Sequence, residues 1–150
     1  ERYRFHVGHL PLSAYVEDIR VIGRSVFDEG YELGAGTGEV QIFIRTDGQS
    51  VGGTVRSADG IPRESATVVL VPPQERRKNP ARYRTANTDS NGVFRITDVP
   101  PGDYTVFAWE NVLPTAWMNP RFYEKYAKLG RSVTVTAGGP LDLQLSMIPE

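Results

Sequence analysis

Short runs of alternating apolar residues, separated by turn residues, are the feature that most constrains this chain. The stretch 88–110, TDSNGVFRITDVPPGDYTVFAWE, contains two such runs, with Asn91-Gly92 before the first and Pro100-Pro101-Gly102 before the second. Asn-Gly is a strong signal for a tight hairpin, and Pro followed by Gly favours a reversal. Alternation with period two places every second side chain on one face of a strand. The stretch therefore predicts two β-strands.

Turn residues separate short apolar runs along the whole chain, which has 15 Gly and 11 Pro. This pattern is typical of an all-β sandwich or barrel. Strands are predicted at 51–56, 67–71, 132–136 and 141–147, and Asp59-Gly60 is predicted to form a hairpin or a sandwich-edge connection between the first two. The residues predicted to face a core are Val133, Val135, Leu141, Leu143, Leu145 and Met147.

The second run of the opening stretch is apolar on both faces. Tyr104, Val106 and Ala108 share one face, and Phe107 and Trp109 share the other. Such a strand is expected to be central in its sheet or covered by another element.

One short helix is predicted at 120–129. Asn119 can cap its start, Pro120 suits the first helical position, and Gly130 lies where the helix should end. Phe122, Tyr126 and Leu129 recur at helical spacing and would form its apolar stripe. The polar, proline-rich segment 72–82, PPQERRKNPAR, is interpreted as a mobile connection between strands.

Composition and charge make several classes of function improbable or impossible for this chain. The formal net charge of -1 gives no field that would attract nucleic acid or an anionic membrane, and the absence of Cys excludes disulfides, thiolate nucleophiles and Cys-dependent zinc sites. No run is long enough for a membrane helix. The chain begins at Glu1 without a signal-type leader, so we expect it to be a segment of a longer protein.

Residues 1–48 echo the later part of the chain in the order of their turn and strand residues. The pairs are 3–7 with 93–97, 10–16 with 99–105, and 38–44 with 139–145. We interpret 1–48 as the back half of a preceding sandwich repeat and 49–150 as a complete one. A half sandwich leaves apolar faces and strand edges exposed, which predicts packing on the second domain or on another copy of the chain.

Five short motifs together carry a family resemblance. They are GTV from Gly53, ADGIP from Ala58, ATVVLV from Ala66, TDSNGVFRI from Thr88 and VPPGDYTVFAW from Val99. In this order they resemble the carboxypeptidase regulatory-like domain, over about 50–148. The continuation into AWMNPRFYEKY looks like the version found in repeat-bearing envelope proteins of soil bacteria.

The resemblance implies an antiparallel Greek-key β-sandwich of the transthyretin-like (prealbumin-like) type, often grouped with carbohydrate-binding-like sandwiches. It also implies a non-catalytic module of a secreted or cell-envelope protein. The expected partners are neighbouring domains of the same polypeptide, with a glycan or an envelope protein as further options. No cofactor is expected.

Two enzyme families share similar sandwiches, but the residues do not fit them. The intradiol ring-cleaving dioxygenases hold iron with two Tyr and two His, whereas here the two histidines, His6 and His9, precede the matching segment and form no later pair. The transthyretin-like hydroxyisourate hydrolases need histidines and a tyrosine-rich C-terminal signature, and this chain ends LSMIPE.

Other candidate sites have simpler explanations. His6 and His9 would need a third metal ligand, for which Glu17 or Asp18 has no favourable spacing, so solvated histidines are preferred. Asp89 and Asp98 are better explained as turn caps than as calcium ligands. The basic run 76–78 is too short for a nucleic-acid footprint, and no G-x-S-x-G motif indicates acyl transfer.

The aromatic residues are the remaining candidates for a binding surface. Five of them fall within eighteen positions: Trp109, Trp117, Phe122, Tyr123 and Tyr126. Flat rings can hold a sugar or an apolar partner. Local packing of the helix on strand 104–109 is favoured over that role, with Trp117 and Tyr123 as the preferred residues if a platform exists. The sequence thus predicts a structural or interaction module, with a carbohydrate-binding module as the alternative.

Overall fold

The computed structural model describes residues 1–32, 34 and 38–150, which form strands, one α-helix and short 3-10 turns. The only sequence prediction touching the undescribed residues is the general assignment of 1–48. The strands are β1 (Arg2–Tyr3), β2 (Tyr15–Val21), β3 (Arg24–Ser25), β4 (Tyr31–Glu32), β5 (Val40–Arg45), β6 (Gln49–Arg56), β7 (Thr67–Val71), β8 (Arg84–Asn87), β9 (Val93–Val99), β10 (Gly102–Trp109), β11 (Arg131–Val135) and β12 (Leu141–Ser146). The helix α1 (Pro120–Tyr126) lies between β10 and β11.

Residues 49–150 form the predicted β-sandwich. One sheet has the strand order β11-β10-β7-β8, and the other has the order β12-β6-β9. Since β10 pairs with both β7 and β11, it is central in its sheet, as its two apolar faces predicted. The all-β Greek-key fold class is thereby confirmed.

The main core lies between these two sheets. Most of its members are alternate residues of the strands, as a half-buried strand requires. Its buried members include Val51, Val55, Val68, Leu70, Phe94, Ile96, Tyr104, Val106, Ala108, Val135, Leu143 and Leu145. Val133, Leu141 and Met147 pack against this core, so the predicted inward faces of β11 and β12 are correct.

One strand pair departs from the predicted antiparallel pattern, because β12 runs parallel to β6. Alternation fixes which residues face the core but is the same for either strand direction, so the sequence could not reveal this pairing. Gly53 lies directly opposite Leu143 in the parallel pair. A Cβ on Gly53 would collide with the Leu143 backbone, which explains why glycine stands in this strand.

The Asn91-Gly92 turn is present, but the predicted hairpin is wrong. The N–H of Gly92 donates to the carbonyl of Asp89 at 2.9 Å, which closes the turn. The strands on either side, β8 and β9, lie in different sheets, so the turn forms an arch across the sandwich. The N–H of Val55 in β6 donates to the Gly92 carbonyl at 2.8 Å, and this contact with the second sheet directs the chain away from β8.

The other two reversals also cross the sandwich. Pro100-Pro101 connects β9 to β10, and the turn at Asp59-Gly60 connects β6 to β7; in each case the strands belong to different sheets. The predicted sandwich-edge connection at Asp59-Gly60 is therefore the alternative that the structure adopts.

The predicted helix is confirmed, with α1 continuing into a 3-10 turn at Ala127–Leu129. The Asn119 side chain accepts a hydrogen bond from the Arg121 N–H at 2.9 Å, and Pro120 occupies the first turn. Gly130 does end the helical segment, although its φ of -76° is accessible to any residue. A Cβ there would lie 2.7 Å from Cζ of Phe107, so glycine is needed for close approach to β10.

Residues 1–48 form two smaller sheets, β1-β4 and β3-β2-β5. Their core contains Ile19, Val21, Val26 and Phe27. β5 pairs with β2 in antiparallel fashion, whereas β12, its counterpart in the proposed repeat, pairs with β6. The assignment of 1–48 as the back half of a repeat stays a prediction.

Candidate functional site

The aromatic cluster predicted from the sequence is assembled on the outer face of the four-stranded sheet. Because side chains alternate along β10, Phe107 and Trp109 point away from the main core. Val69 and Val71 of β7 lie on the same outer face, and α1 with its preceding 3-10 turn (Ala116–Met118) covers them. The complete cluster comprises Val69, Val71, Tyr83, Phe107, Trp109, Trp117 and Ile148, with Val112, Met118, Phe122, Tyr123 and Tyr126 packed against it.

Trp109 is the centre of this cluster. Its ring stacks on Phe107, with centroids 4.8 Å apart and an interplanar angle of 9°. Tyr126 meets it edge-on at 5.7 Å, Phe122 lies at 5.6 Å, and Trp117 lies at 6.4 Å in a nearly parallel orientation. These distances fall within the range in which aromatic pairs attract one another.

Burial divides the five predicted residues into two groups. Trp109 and Trp117 are only 2% and 8% exposed, so neither offers a ring face to solvent. Phe122, Tyr123 and Tyr126 are partly buried. The structure thus brings all five together, and any ligand would reach only the helix side chains.

Both tryptophans bury an indole N–H that has no hydrogen-bond acceptor among the described residues. A buried donor without an acceptor costs about 1–3 kcal/mol, so these two residues stabilise the fold through apolar contact alone. Their positions are those of core residues, and local packing accounts for them.

Tyr123 has a more specialised environment than the other helix aromatics. The guanidinium of Arg77 lies 4.1 Å from its ring centroid, and Nη2 of Arg77 donates to the Tyr123 hydroxyl at 3.1 Å. Nε of Arg77 also donates to the Pro72 carbonyl at 3.0 Å. Arg77 therefore attaches the loop between β7 and β8 to the helix.

A second site, which the sequence did not reveal, joins residues 1–48 to this loop. Nε and Nη2 of Arg82 donate to the two carboxylate oxygens of Asp28 at 2.8 and 3.0 Å. Arg82 also lies over the ring of Phe27, 4.5 Å from its centroid, and its side chain is only 10% exposed. The Asp28 side chain is 27% exposed, and a bidentate pair with a largely buried guanidinium is among the stronger side-chain interactions. We name the contact between 1–48 and segment 72–83 the junction.

Asn79 anchors the junction from the loop side. It is 2% exposed, and its Nδ2 donates to the Phe27 carbonyl at 3.0 Å. Its Oδ1 accepts from the Ala81 N–H at 3.0 Å and so caps the 3-10 turn that carries Arg82. From the opposite side, Nη2 of Arg4 donates to the Lys78 carbonyl at 2.8 Å. Segment 72–83 is thus held by contacts with 1–48, contrary to its interpretation as a mobile connection.

A third contact joins residues 1–48 to the end of β9. The Ser13 N–H donates to Oδ1 of Asp98 at 2.5 Å, and the Gly48 N–H donates to the Ser13 carbonyl at 2.9 Å. Ser13 and Asp98 both have left-handed backbones, with φ of 66° and 59°. Non-glycine residues adopt this conformation at a cost, which the surrounding contacts must offset. Asp98 binds the N-terminal segment instead of capping its own turn.

Asp89 caps its turn as predicted, since its Oδ1 accepts from the N–H groups of Asn91 and Val93 at 2.9 and 3.0 Å.

His6 and His9 lie outside the strands, in the segment between β1 and β2. Among the described residues, no group of three or more His, Asp or Glu side chains is placed to hold a metal ion. In the same part of the chain, no helix has the length and apolar character needed to span a membrane.

Tyr15 of β2 has a strongly raised pKa. Burial and the hydrogen bond from its hydroxyl to Oδ1 of Asp47, 2.7 Å long, raise the pKa of Tyr15 to about 12. The same hydrogen bond, together with Arg45, lowers the pKa of the Asp47 carboxyl. The pair lies between β2 and the start of β6, where the two parts of the chain meet.

Sequence reasoning found the aromatic cluster but missed the residues of the junction. Asp28, Asn79 and Arg82 are polar and lie in loops, where their types are common, so no local pattern distinguished them. Asn79-Pro80, which resembles the Asn119-Pro120 helix start, was the one available signal of ordered structure in this loop.

Comparison with known proteins agrees with the fold. A family model described as the carboxypeptidase regulatory-like domain matches residues 50–147. No curated protein matches.

Among solved structures, the Bacillus anthracis TIE protein matches 72% of this chain at 14% identity and a TM-score of 0.44. The major pilin subunit of Bacillus cereus matches 72% at 16% identity and the same TM-score. The group B streptococcus pilus 2b backbone protein matches 93% at 12% identity and a TM-score of 0.43. The chain spans 19%, 31% and 50% of these three proteins.

Proposed function

Since the chain belongs to the carboxypeptidase regulatory-like domain family over residues 50–147, we propose that it is a non-catalytic structural or interaction module of a secreted or cell-envelope bacterial protein. In this role, the sandwich 49–150 holds the smaller unit 1–48 in a fixed orientation. The proposed partners are neighbouring domains of the same polypeptide and a second copy of the chain.

The Arg82–Asp28 pair is the observation that carries this proposal. A surface ion pair contributes little, whereas Arg82 is desolvated, bidentate and stacked on Phe27. Such a contact fixes both distance and angle between the two units. A spacer or presenting module needs this property, because a flexible joint would not define the orientation of what it carries.

Backbone 15N relaxation on the intact chain tests the proposal. If the units form one rigid body, amides of β2 and β5 will report the same rotational correlation time as those of β7 and β10. In the double variant Arg82→Ala with Asp98→Gly, which removes the Arg82–Asp28 and Ser13–Asp98 contacts between the units, the correlation times of the two units should diverge. Arg63→Ala, which removes an ion pair to Glu110 within the sandwich, is the matched control and should change neither value. Independent tumbling of the units in the unaltered chain would contradict the proposal.

The alternative is a carbohydrate-binding module that uses the partly buried rings of Phe122, Tyr123 and Tyr126. The partial exposure of these adjacent helix side chains favours it, because a sugar ring needs an accessible aromatic face. A glycan array with the isolated chain separates the two proposals. Glycan binding that is lost in Tyr123→Ala while the melting temperature stays near normal would support the alternative, and an array without signal would support the structural role.

The assignment of residues 1–48 to the back half of a preceding repeat belongs to the same proposal. Its support is the ordered echo of the motifs in 3–7, 10–16 and 38–44. A tandem array would then repeat the junction between successive units. Determining the neighbouring sequence in the parent polypeptide tests this directly, since a front-half motif set should precede residue 1.

A further inference from the structure

Strand β5 has an unusual exposure pattern for an apolar strand. All six of its residues are exposed, including Val40 (41%), Ile42 (45%), Phe43 (38%) and Ile44 (46%). β5 is the last strand in the order β3-β2-β5, and none of the described residues pairs with its outer edge. An open edge with exposed apolar side chains is a template for pairing with another strand.

The apolar residues of β5 extend an existing apolar face. Ile42 lies opposite Ile19, and Val40 lies opposite Val21, in the antiparallel pair with β2. Ile19 and Val21 are buried members of the small core, so Val40, Ile42 and Ile44 continue that face towards the free edge. A strand added to this edge would cover their outer sides.

From this arrangement we infer that the occupant is β5 of a second copy, paired antiparallel about a two-fold axis through Ile42. In this register Ile42 meets its own copy, Val40 meets Ile44, and Glu39 meets Arg45. Sheet β3-β2-β5 thereby becomes a continuous six-stranded sheet. The inference rests on the interaction role proposed above, and it names the partner of β5 in the chain 1–150, in whose described part no strand of a preceding front half pairs with this edge.

Charge complementarity selects this partner and register. Glu39 and Arg45 bracket the apolar residues, so a two-fold pairing centred on Ile42 places opposite charges together at both ends. Sliding one copy by two residues, so that the two-fold axis passes through Phe43, would instead set Glu39 against Asp47 of the other copy. The Arg45 side chain is half exposed and reaches Glu17 and Asp47 only at 3.8 and 3.6 Å, so it can turn towards Glu39 of a second copy.

Cysteine cross-linking tests the register, because the chain has no native Cys. Residues directly opposite in an antiparallel pair have Cα atoms about 4.5–5.5 Å apart, which suits a disulfide. Under mild oxidation, Ile42→Cys should form a covalent dimer. Val40→Cys and Ile44→Cys should not do so singly, but the double variant should. Ile61→Cys, at an exposed apolar position outside β5, is the control for random collision.

Sedimentation equilibrium tests the association itself. The unaltered chain should dimerise, Ile42→Lys should be monomeric, and the control Ile61→Lys should dimerise normally. Reversal of one charge by Glu39→Arg should weaken the dimer by about threefold to tenfold, and the double variant Glu39→Arg with Arg45→Glu should restore it.

A chain that stays monomeric, or Ile42→Cys that cross-links no faster than Ile61→Cys, would overturn the inference. Failure here is distinguishable from failure of the proposed function. The monomeric Ile42→Lys variant should still show one correlation time for the two units, whether or not β5 is a dimer edge.

Discussion

At the scale of single residues, packing and not backbone conformation requires the glycine at position 130. Gly130 has an ordinary backbone but lies against Thr105 and Phe107 of β10. Gly130→Ala should therefore destabilise the fold by about 1–3 kcal/mol, since the added methyl group must displace a buried ring.

Chemical denaturation measures this change in unfolding free energy. Gly138→Ala is the matched control, because the nearest atom to its added methyl group would be Oγ1 of Thr136 at 3.7 Å, an ordinary contact. An equal loss in both variants would contradict the prediction, because Gly138 has no such close contact and its replacement by Ala should be neutral or slightly stabilising.

The Tyr15–Asp47 pair predicts a specific response to alkaline pH. The pKa of Tyr15 rises from 10.0 to about 12 on folding, so the folded state holds the phenol proton more tightly than the unfolded state. Its stabilising contribution is therefore complete below pH 10 and is lost as the pH rises from 10 to about 12.

Melting temperatures measured across this pH range test that response. Tyr15→Phe should be less stable than the unaltered chain at neutral pH but should lose less stability between pH 10 and 12. Asp47→Asn should give an intermediate slope, because burial still raises the Tyr15 pKa after the anionic acceptor is removed. Parallel curves for the unaltered chain and Tyr15→Phe would exclude Tyr15 as a source of the alkaline loss.

At the scale of secondary-structure elements, α1 and its preceding 3-10 turn pack on the outer face of β10 and cover it. Trp117 is buried on this face without a hydrogen bond from its indole. Trp117→Ala should cost about 3–5 kcal/mol, whereas Trp117→Phe should cost much less because it keeps most of the apolar contact and removes an unpaired donor.

Thermal unfolding followed by near-ultraviolet circular dichroism would measure both variants. Tyr123→Phe is a useful comparison, since it retains the ring under Arg77 and removes only the hydroxyl that Arg77 contacts. Similar losses for Trp117→Ala and Trp117→Phe would contradict a packing role for the indole ring.

The elements that the sequence predicted best are those whose pattern reports burial directly. The two-faced apolar character of β10, the inward leucines of β12 and the Asn119 cap of α1 each depend on a few neighbouring residues. Which strands pair with one another was harder to predict, because Asn91-Gly92 specifies a reversal of the chain but not whether the next strand joins the same sheet. The parallel pairing of β12 with β6 and the Arg82–Asp28 contact join residues far apart in the sequence, so no local signal could reveal them.

At the scale of the whole molecule, the described contacts between residues 1–48 and the sandwich favour a single cooperative unit. Arg82 with Asp28 joins the units at one position, and Ser13 with Asp98 joins them at another. Two separated contacts resist rotation better than either alone. Smaller units with little core of their own gain most from such coupling, because they bury too little apolar surface for independent stability.

Differential scanning calorimetry of the intact chain should therefore show one unfolding transition. The double variant Arg82→Ala with Asp98→Gly should resolve an earlier, smaller transition for residues 1–48, while the main transition of 49–150 stays nearly unchanged. Glycine at position 98 preserves the left-handed backbone, so the variant removes the carboxylate without adding strain. Arg63→Ala should retain a single transition, because the Arg63–Glu110 pair lies within the sandwich. Two transitions in the unaltered chain would mean that the contacts position the units without coupling their stability.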